Sequence, residues 1–423
     1  MNINNQYSVK PSGVPWLGDI PAGWKMERLG VLYTHRNEKV SDKDFPPLSV
    51  TMKGVVPQLA TAAKTDDGDN RKLVRKGDFA INSRSDRRGS CGISAYDGSV
   101  SLINTILTPR GQMSPAYFDW LFHTEAFADE FYKWGHGIVD DLWTTRWSEM
   151  KRIQIVRPPL PEQRAIADYL DEKCGAIDAA IAEAKKGIEE YKAWKKSLIF
   201  EAVTGKRRVG AFNAKTQSRR EVEKMKPSGI PWIGAIPAGW KVSRVKNECD
   251  CLDYLREPIS AENRVNEKAL YDYYGASGAI DKIDDFNVDD TVLLIGEDGA
   301  NLRMRNLPLV YRASGKIWVN NHAHILKVKP SNDYGFMAYA LEAGDYNDFV
   351  AGSAQPKLTQ TDLMAMPVVL PSLPEQQAIA DYLDDKCAAI DAMVAEKEAL
   401  IADLEAYKKS LIYETVTGKR EVA

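Results

Sequence analysis

No stretch of this chain approaches the roughly 18 consecutive apolar residues of a membrane-spanning helix, and the opening MNINNQYSVKPSG lacks the charged-then-apolar layout of a secretory signal. Cysteine is scarce, with five among 423 residues. Cys174 and Cys387 hold the same place in two similar passages, Cys91, Cys249 and Cys251 are scattered, and no disulfide framework can be read from them. These absences point to a reducing, cytoplasmic setting without a membrane partner. Cys249 and Cys251 have no second Cys or His pair nearby, so a zinc site is not expected. An excess of positive charge is missing too: the net charge is −3, and over 246–370 there are 19 Asp and Glu against 12 Lys and Arg. Any contact with DNA must therefore come from a local patch and not from a bulk field.

Catalytic signatures are also missing. The two Pro-Pro pairs stand as Phe45-Pro46-Pro47 and Arg157-Pro158-Pro159, so there is no Asn/Asp/Ser-Pro-Pro-aromatic motif for methylating an amine. No glycine-rich cofactor loop follows a strand, and the two VTGKR passages lack the other residues of a phosphate loop. No Ser/His/Asp or Cys/His constellation has local support. The chain is read as non-catalytic and free of cofactors of its own.

What is present is a sentence written twice. PSGVPWLGDIPAGWK (11–25) returns as PSGIPWIGAIPAGWK (227–241), at an offset of 216. LPEQRAIADYLDEKCGAID (160–178) returns as LPEQQAIADYLDDKCAAID (373–391), and KKSLIFEAVTGKR (195–207) as KKSLIYETVTGKR (408–420), both at an offset of 213. The blocks between these flanks, roughly 30–155 and 246–370, share almost no wording. Matched flanks around divergent centres indicate one scaffold presenting two different heads.

Each repeat opens with a Pro/Gly/Trp segment that can form neither a helix nor a central strand, read as an extended strap anchored by Trp16 and Trp24, then Trp232 and Trp240. The heads carry strand-like runs. KGDFAINSR (76–84) and SVSLINTILT (99–108) flank a Gly/Ser/Arg loop in the first; TVLLIGEDG (291–299) and KIWVNNHAHILKV (316–328) flank GANLRMRN (299–306) in the second. The expectation is one mixed α+β fold of about 125 residues beneath both.

Each repeat closes with a long helix. Pro161 and Pro374 fit a first turn, and Gly205 and Gly418 fit helix ends. Ile166, Leu170, Cys174, Ile177, Ile181, Ala184, Ile188, Tyr191 and Leu198 recur at spacings of three and four, as do Ile379, Leu383, Cys387, Ile390, Val394, Ile401, Leu404 and Leu411. Such a seam needs a partner helix, and the other copy supplies it. At 1.5 Å per residue each helix would be roughly 65 Å long. Antiparallel pairing delivers the chain to the far end for the second head, placing the heads at opposite ends about a pseudo-two-fold axis. The fold class read here is α+β: two mixed α/β recognition domains separated by two long antiparallel helices in a coiled coil, with an internal repeat. The divisions are 1–157 (strap and first head), 158–205 (first helix), 206–226 (basic linker), 227–370 (strap and second head) and 371–423 (second helix).

A rigid spacer with two unlike heads suits a split target with an unread middle, and linking the heads raises affinity when the spacing fits. The strap PSGxPWxGxIPxGW, the helix start LPEQ-x-AIADYLDxK, the VTGK end and the strand-like VNNHAH (319–324) together resemble the DNA-specificity subunit of type I restriction–modification systems, across nearly the whole chain. That resemblance implies two target-recognition domains reading a bipartite double-stranded DNA site. It also implies two modification methyltransferase subunits clamped on the helices and restriction translocase/endonuclease subunits added to them. S-adenosylmethionine, ATP and Mg would sit on those partners, and the product would be N6-methyladenine. One departure is the end of the first head, GHGIVDDLWTTRWSEM (135–150), where the second has the familiar GSAQPKLTQTDL (352–363).

Direct reading needs Arg or Lys for guanine and Asn or Gln for adenine. Asn82, Arg84, Arg87 and Arg88 follow a strand in the first head, and Asn301, Arg303 and Arg305 are placed in the equivalent loop of the second. Asn320 and Asn321 are candidates to read or brace, and Gln355 and Lys357 to touch DNA or turn the chain. Alternation would set Trp318, Asn320, His322 and His324 on one face; with no third ligand evident, the histidines are read as hydrogen-bonded within the sheet and not as metal ligands. Two rivals remain: a related methylation-only or combined methyltransferase/nuclease system, and a coiled-coil adaptor whose heads bind protein.

Overall fold

The computed structural model describes residues 8–60, 68–84, 88–137, 143–209, 224–265 and 267–422. Two helices, Leu160–Val203 and Leu373–Val416, are each 44 residues long. Their apolar stripes are buried over much of the expected seam: Leu170 and Leu383 are fully covered, Cys174, Ile177, Cys387 and Ile390 nearly so, and Tyr191, Val394, Ile401 and Leu404 are half-buried. The chain folds as two compact units, and neither coincides with one repeat. The first is Met1–Lys185 with Glu398–Ala423; the second is Lys186–Lys397. Each therefore takes half of each long helix.

In the first unit the leading half of the first helix lies antiparallel to the trailing half of the second. Lys408 Nζ reaches the two Asp178 oxygens at 2.6 and 2.7 Å. In the second unit the same two positions of the repeat meet with roles exchanged, Lys195 Nζ lying 2.7 and 2.6 Å from Asp391. These exposed pairs contribute at most about 1 kcal/mol each; the buried seam supplies the adhesion.

The helix ends explain the repeated wording. Gly205 and Gly418 have φ of 73° and 75°, a left-handed turn that glycine adopts without strain. A Cβ on Gly205 would run into Pro237 and Trp240, and one on Gly418 into Pro21 and Trp24. So each strap packs over the end of the helix from the other repeat. Arg207 pairs with Glu201, and Arg420 with Glu414, closing both turns identically. Tyr117 Oη donates to the Val416 carbonyl and Tyr413 Oη to that of Trp16.

The helix starts lock onto the heads through glutamine. Gln163 is buried, accepts from the Ser114 N–H at 2.9 Å, and donates to the Pro158 carbonyl at 2.8 Å. Ser114 caps the head helix Pro115–Phe122. Gln376 does the same for Asp333, the cap of Tyr334–Glu342, accepting from its N–H at 2.8 Å. The preceding glutamate differs between units: Glu162 accepts from the Trp24 indole at 2.6 Å, whereas Glu375 pairs with Arg208 at 2.9 Å and the Trp240 indole N–H has no hydrogen-bond partner among the described residues.

Both heads are built on the same four antiparallel strands. In the first the order is Cys91–Ile93, Phe79–Asn82, Asn104–Pro109, Tyr33–Arg36. In the second it is Val310–Val319, Val288–Gly296, Ala323–Val328, Cys249–Cys251. The register matches residue by residue: Leu107 lies between Phe79 and His35, as Leu326 lies between Leu293 and Cys251. A short strand from the strap side, Lys25–Arg28 or Lys241–Arg244, pairs with the strand leading into the long helix, Gln154–Arg157 or Pro367–Leu370. Around this frame the heads diverge. The first adds a three-stranded sheet (Gly98–Val100, Arg71–Val74, Lys39–Val40) and the hairpin Leu48–Thr51/Gly54–Pro57. The second extends its own sheet with Tyr271–Gly275, parallel to Val310–Val319, and then Gly278–Ile283.

Two local expectations are corrected. Residues 316–328 are not one strand: Val310–Val319 and Ala323–Val328 are separated by a turn at 320–322, so Trp318, Asn320, His322 and His324 do not share a face by alternation. Residues 299–306 are not an open loop, since Asn301–Met304 forms a helical turn that ends with Arg305 at φ 52°.

Leu170→Ala and Leu383→Ala each remove a fully buried seam side chain, and each is expected to cost about 2–5 kcal/mol of stability. The check is the urea unfolding midpoint.

Candidate nucleic-acid interface

In the second head four chain segments converge at one end of the shared sheet. The Glu297 N–H donates to the His322 carbonyl at 2.9 Å, and the Leu358 N–H donates to the Glu297 carbonyl at 2.8 Å. Asp298 forms a bridge with Lys357. Behind this backbone frame lies a cluster of charged groups. His324, 1 % exposed, sets Nδ1 2.6 Å from Asp253 Oδ2 and Nε2 2.9 Å from the Leu358 carbonyl. Arg256 pairs with Glu297 and, at 3.3 Å, with Asp253. Lys357 Nζ closes on Glu297 at 2.9 Å. At the rim, His322 Nδ1 meets Asp298 Oδ2 at 2.6 Å.

Burial would raise the Asp253 carboxyl, but the hydrogen bond and charge of His324, the Ile325 N–H and Arg256 hold it below the ordinary carboxylate range. For Glu297, burial is likewise outweighed by hydrogen bonds from Lys357 and Arg256 and by the charge of His324. Glu248 is depressed against its own burial by Ser243, Asn332 and Lys241. Cys251 and Cys249 go the other way, pushed up by burial to about 11 and about 12, so neither offers a thiolate near neutral pH. Among the described residues no group of three side chains is arranged to hold a metal ion. His324, in the sheet, bonds Asp253 and the Leu358 carbonyl, whereas His322 lies in the turn before it and bonds Asp298.

The first head repeats the backbone frame with different side chains. The Ser83 N–H donates to the Ile103 carbonyl at 3.1 Å, the Thr145 N–H donates to the Ser83 carbonyl at 2.9 Å, and Arg84 bridges Thr144. Thr144 also pairs with His136, as Lys357 pairs with Ala351. The dissimilar endings of the two heads thus occupy the same place. Where the second head buries Glu297 and His324, the first has Ser83 and Thr105, hydroxyl to hydroxyl at 2.7 Å.

The candidate residues fall into two groups. Buried Asn82 accepts from the Arg84 N–H at 2.9 Å and braces the turn; buried Asn320 does so for His322 at 2.8 Å. Asn301 donates to the carbonyls of Leu307 and Pro308 and accepts from Leu307 N–H. Arg305 is tied to Glu342, the Gly344 carbonyl and the Tyr346 ring, and Arg303 to the carbonyls of Val350 and Gly352. Arg88 pairs with Asp129 and lies over the Tyr132 ring. Exposed at the convergent end are Arg84, Asn321, Gln355 and Lys357. Arg87 lies outside the described residues. By backbone position Arg84 corresponds to Asp298, and not to Arg303 or Arg305. Asp253, Arg256, Glu297 and Asp298 escaped the sequence reading. The signal available was the end of the central apolar run, Ile81-Asn82-Ser83-Arg84 against Ile295-Gly296-Glu297-Asp298.

Residues 237–401 match the family described as type I restriction modification DNA specificity domain. A specificity subunit of a type I restriction enzyme, MjaVIII, from Methanocaldococcus jannaschii is 23% identical with 95% of this chain and 94% of the relative covered. The second head and the start of its long helix thus carry a type I specificity domain, and the chain as a whole is similar to type I specificity subunits. A putative specificity subunit from Haemophilus influenzae is 30% identical over 141 residues, covering 33% of this chain and 34% of the relative. An Escherichia coli relative, the EcoprrI specificity subunit, matches over a similar fraction, so the chain spans about a third of the length of these two. Among solved structures, a chain from a study of assembly and conformational transition of a type I R-M system has a TM-score of 0.69 at 13% identity, with 95% of this chain and 99% of that one covered. The HsdS subunit from Thermoanaerobacter tengcongensis gives 0.51 at 15% identity, with 95% and 98% covered. These structural likenesses show the fold alone.

Asp253, Glu297 and Glu248 have depressed native pKa values, so their stabilisation is present above the unfolded carboxylate values, about 4, and is lost as pH falls through the lower native ones. Acid titration followed by tryptophan fluorescence is expected to show loss of the second unit below about pH 4. Glu297→Gln should give a shallower acid transition.

Proposed function

We propose that the chain is the non-catalytic, sequence-specific DNA-binding subunit of a type I restriction–modification complex, reading a bipartite double-stranded site with an unread gap. The observation that supports this best is the pair of heads: one backbone frame, residue for residue in register, ending in unlike exposed side chains. A scaffold that holds its frame while changing its reading edge suits two half-sites of different sequence. The functional parts are those of the sequence divisions, with 158–205 and 371–423 as a coiled-coil spacer relating the heads by a pseudo-two-fold axis.

On this reading two modification methyltransferase subunits bind the helices and carry S-adenosylmethionine, and translocase/endonuclease subunits carry ATP and Mg. Flipping and methylating an adenine costs a few kcal/mol of unstacking, which falls to the partner. The complex would act on cytoplasmic DNA, marking the host's own and exposing unmarked DNA to restriction. Asn82, Asn301, Asn320, Arg303 and Arg305 brace the reading loops, while Arg84, Asn321, Gln355 and Lys357 face the duplex; Arg87 and Arg88, which follow Arg84 in the sequence, remain candidates for DNA contact. A system that methylates without restricting would use the same subunit.

Two outcomes are expected. The purified chain should transfer no methyl group from labelled S-adenosylmethionine to DNA, and transfer should begin when the modification subunits are added; transfer by the chain alone contradicts the reading. One added turn of four residues, placed at equivalent points in both long helices, lengthens the spacer by about 6 Å. Mapping of methylated adenines should then show the gap longer by one or two base pairs at roughly 3.4 Å each, with both half-sites unchanged.

A further inference from the structure

We propose that the residue bridging the central strand to the final loop is the specificity position of each head: Arg84 for a guanine in one half-site, and Asp298 for a base that presents an exocyclic amine in the other. This rests on the DNA-reading function proposed above and names the groups that discriminate.

Three observations carry it. First, the two positions are equivalent by backbone hydrogen bonding. Arg84 follows Ser83, which is held by Ile103 and Thr145; Asp298 follows Glu297, held in the same way by His322 and Leu358. Arg84 bridges Thr144 as Asp298 bridges Lys357. Second, the charge is inverted at this common place, a cation in one head and an anion in the other. A residue serving the fold would keep its sign where the frame is the same. Third, neither side chain is consumed by the fold. Arg84 is exposed, and its guanidinium has no hydrogen bond or ion pair among the described residues, while its N–H is fixed by Asn82. Asp298 is 37 % exposed and uses Oδ2 for His322, itself 51 % exposed, leaving Oδ1 without a partner among the described residues.

The chemistry follows from the major-groove edges. A guanidinium donates two parallel hydrogen bonds to guanine O6 and N7. A carboxylate accepts from an amine, cytosine N4 or adenine N6, and repels the keto edges of guanine and thymine. The His322 contact fixes the carboxylate plane, and the buried Asp253–His324–Glu297–Arg256 cluster holds the backbone beneath it.

The test uses the chain assembled with its partner subunits, with methylated adenines mapped and binding measured on randomised half-site libraries at two salt concentrations. Arg84→Gln should change one position of one half-site from guanine toward adenine, with discrimination altered about five- to hundredfold. Asp298→Asn should relax one position of the other half-site, and the base lost there decides between cytosine and adenine. In each case the opposite half-site should read as before, which also shows that the variant is folded. If Arg84→Gln yields no assembled complex, Arg84→Ala removes every side-chain donor while leaving the backbone bridge, and should lose the guanine preference at that position. An unchanged motif overturns the inference. So does a uniform loss across all sequences with a shallower salt dependence, which marks a phosphate contact. A wild-type complex with no sequence preference would instead overturn the proposed function itself.

Discussion

The rest of the structure depends on a close approach at two glycines. Gly205 and Gly418 turn the chain at the ends of the long helices, and each lies under a proline and a tryptophan of the strap from the other repeat. Any side chain there would push the strap off the helix end. Because the contact crosses repeats, neither repeat closes a core alone. The first unit needs Leu411 and Val416 in its core, and the second needs Leu198, Ala202 and Val203. The duplicated wording is therefore conserved by geometry: the strap, the helix start and the helix end must fit a copy of themselves contributed from elsewhere in the chain.

That shared closure frees the centres of the heads to vary. Gln163 and Gln376 fasten each head helix through a backbone N–H, which asks nothing of the head's side chains. The four-strand frame is fixed by its ladder, and variation is pushed to its margins. The second head lengthens its sheet, while the first covers itself with a separate small sheet and a hairpin. At the end of the sheet where the chain segments converge, the same principle recurs on a smaller scale. A common set of backbone bonds supports a pair of hydroxyls in one head and a buried ion cluster in the other. Replacing a charge in that cluster leaves its partners buried and unpaired, at about 3–5 kcal/mol, so the second head has less freedom than the first to change there.

Much of this was legible in the sequence, and for identifiable reasons. The seams were readable because burial on a helix leaves a period of three and four, and Leu170 to Leu198 kept it over the whole length. The glycine ends were readable because glycine alone takes the left-handed turn without strain, and the early prolines because a first turn is the one part of a helix that tolerates them. The central strands of the heads were readable as apolar runs. The turn at Asn320–His322 was not, because β-rich residues flank it on both sides and no glycine or proline marks it. The helical turn at Asn301–Met304 is too short to show a period. Correspondence between Arg84 and Asp298 was hidden because clustered arginines drew the comparison to Arg303 and Arg305, whose side chains are tied to backbone carbonyls within the head. The charged cluster of the second head was hidden because Asp253, Glu297 and His324 meet only through pairing of non-adjacent strands.

The account rests on heads that are independent readers on interchangeable frames, and one chimera tests this directly. Residues 246–370 would be replaced by a second copy of 30–155, leaving both straps and both long helices as they are. Assembled with its partners and mapped for methylated adenines, this chain is predicted to mark a target whose two halves both carry the sequence read by the first head, with the gap of the natural target. A folded, assembled chimera that still marked the second head's half-site, or that marked no defined sequence, would contradict the account.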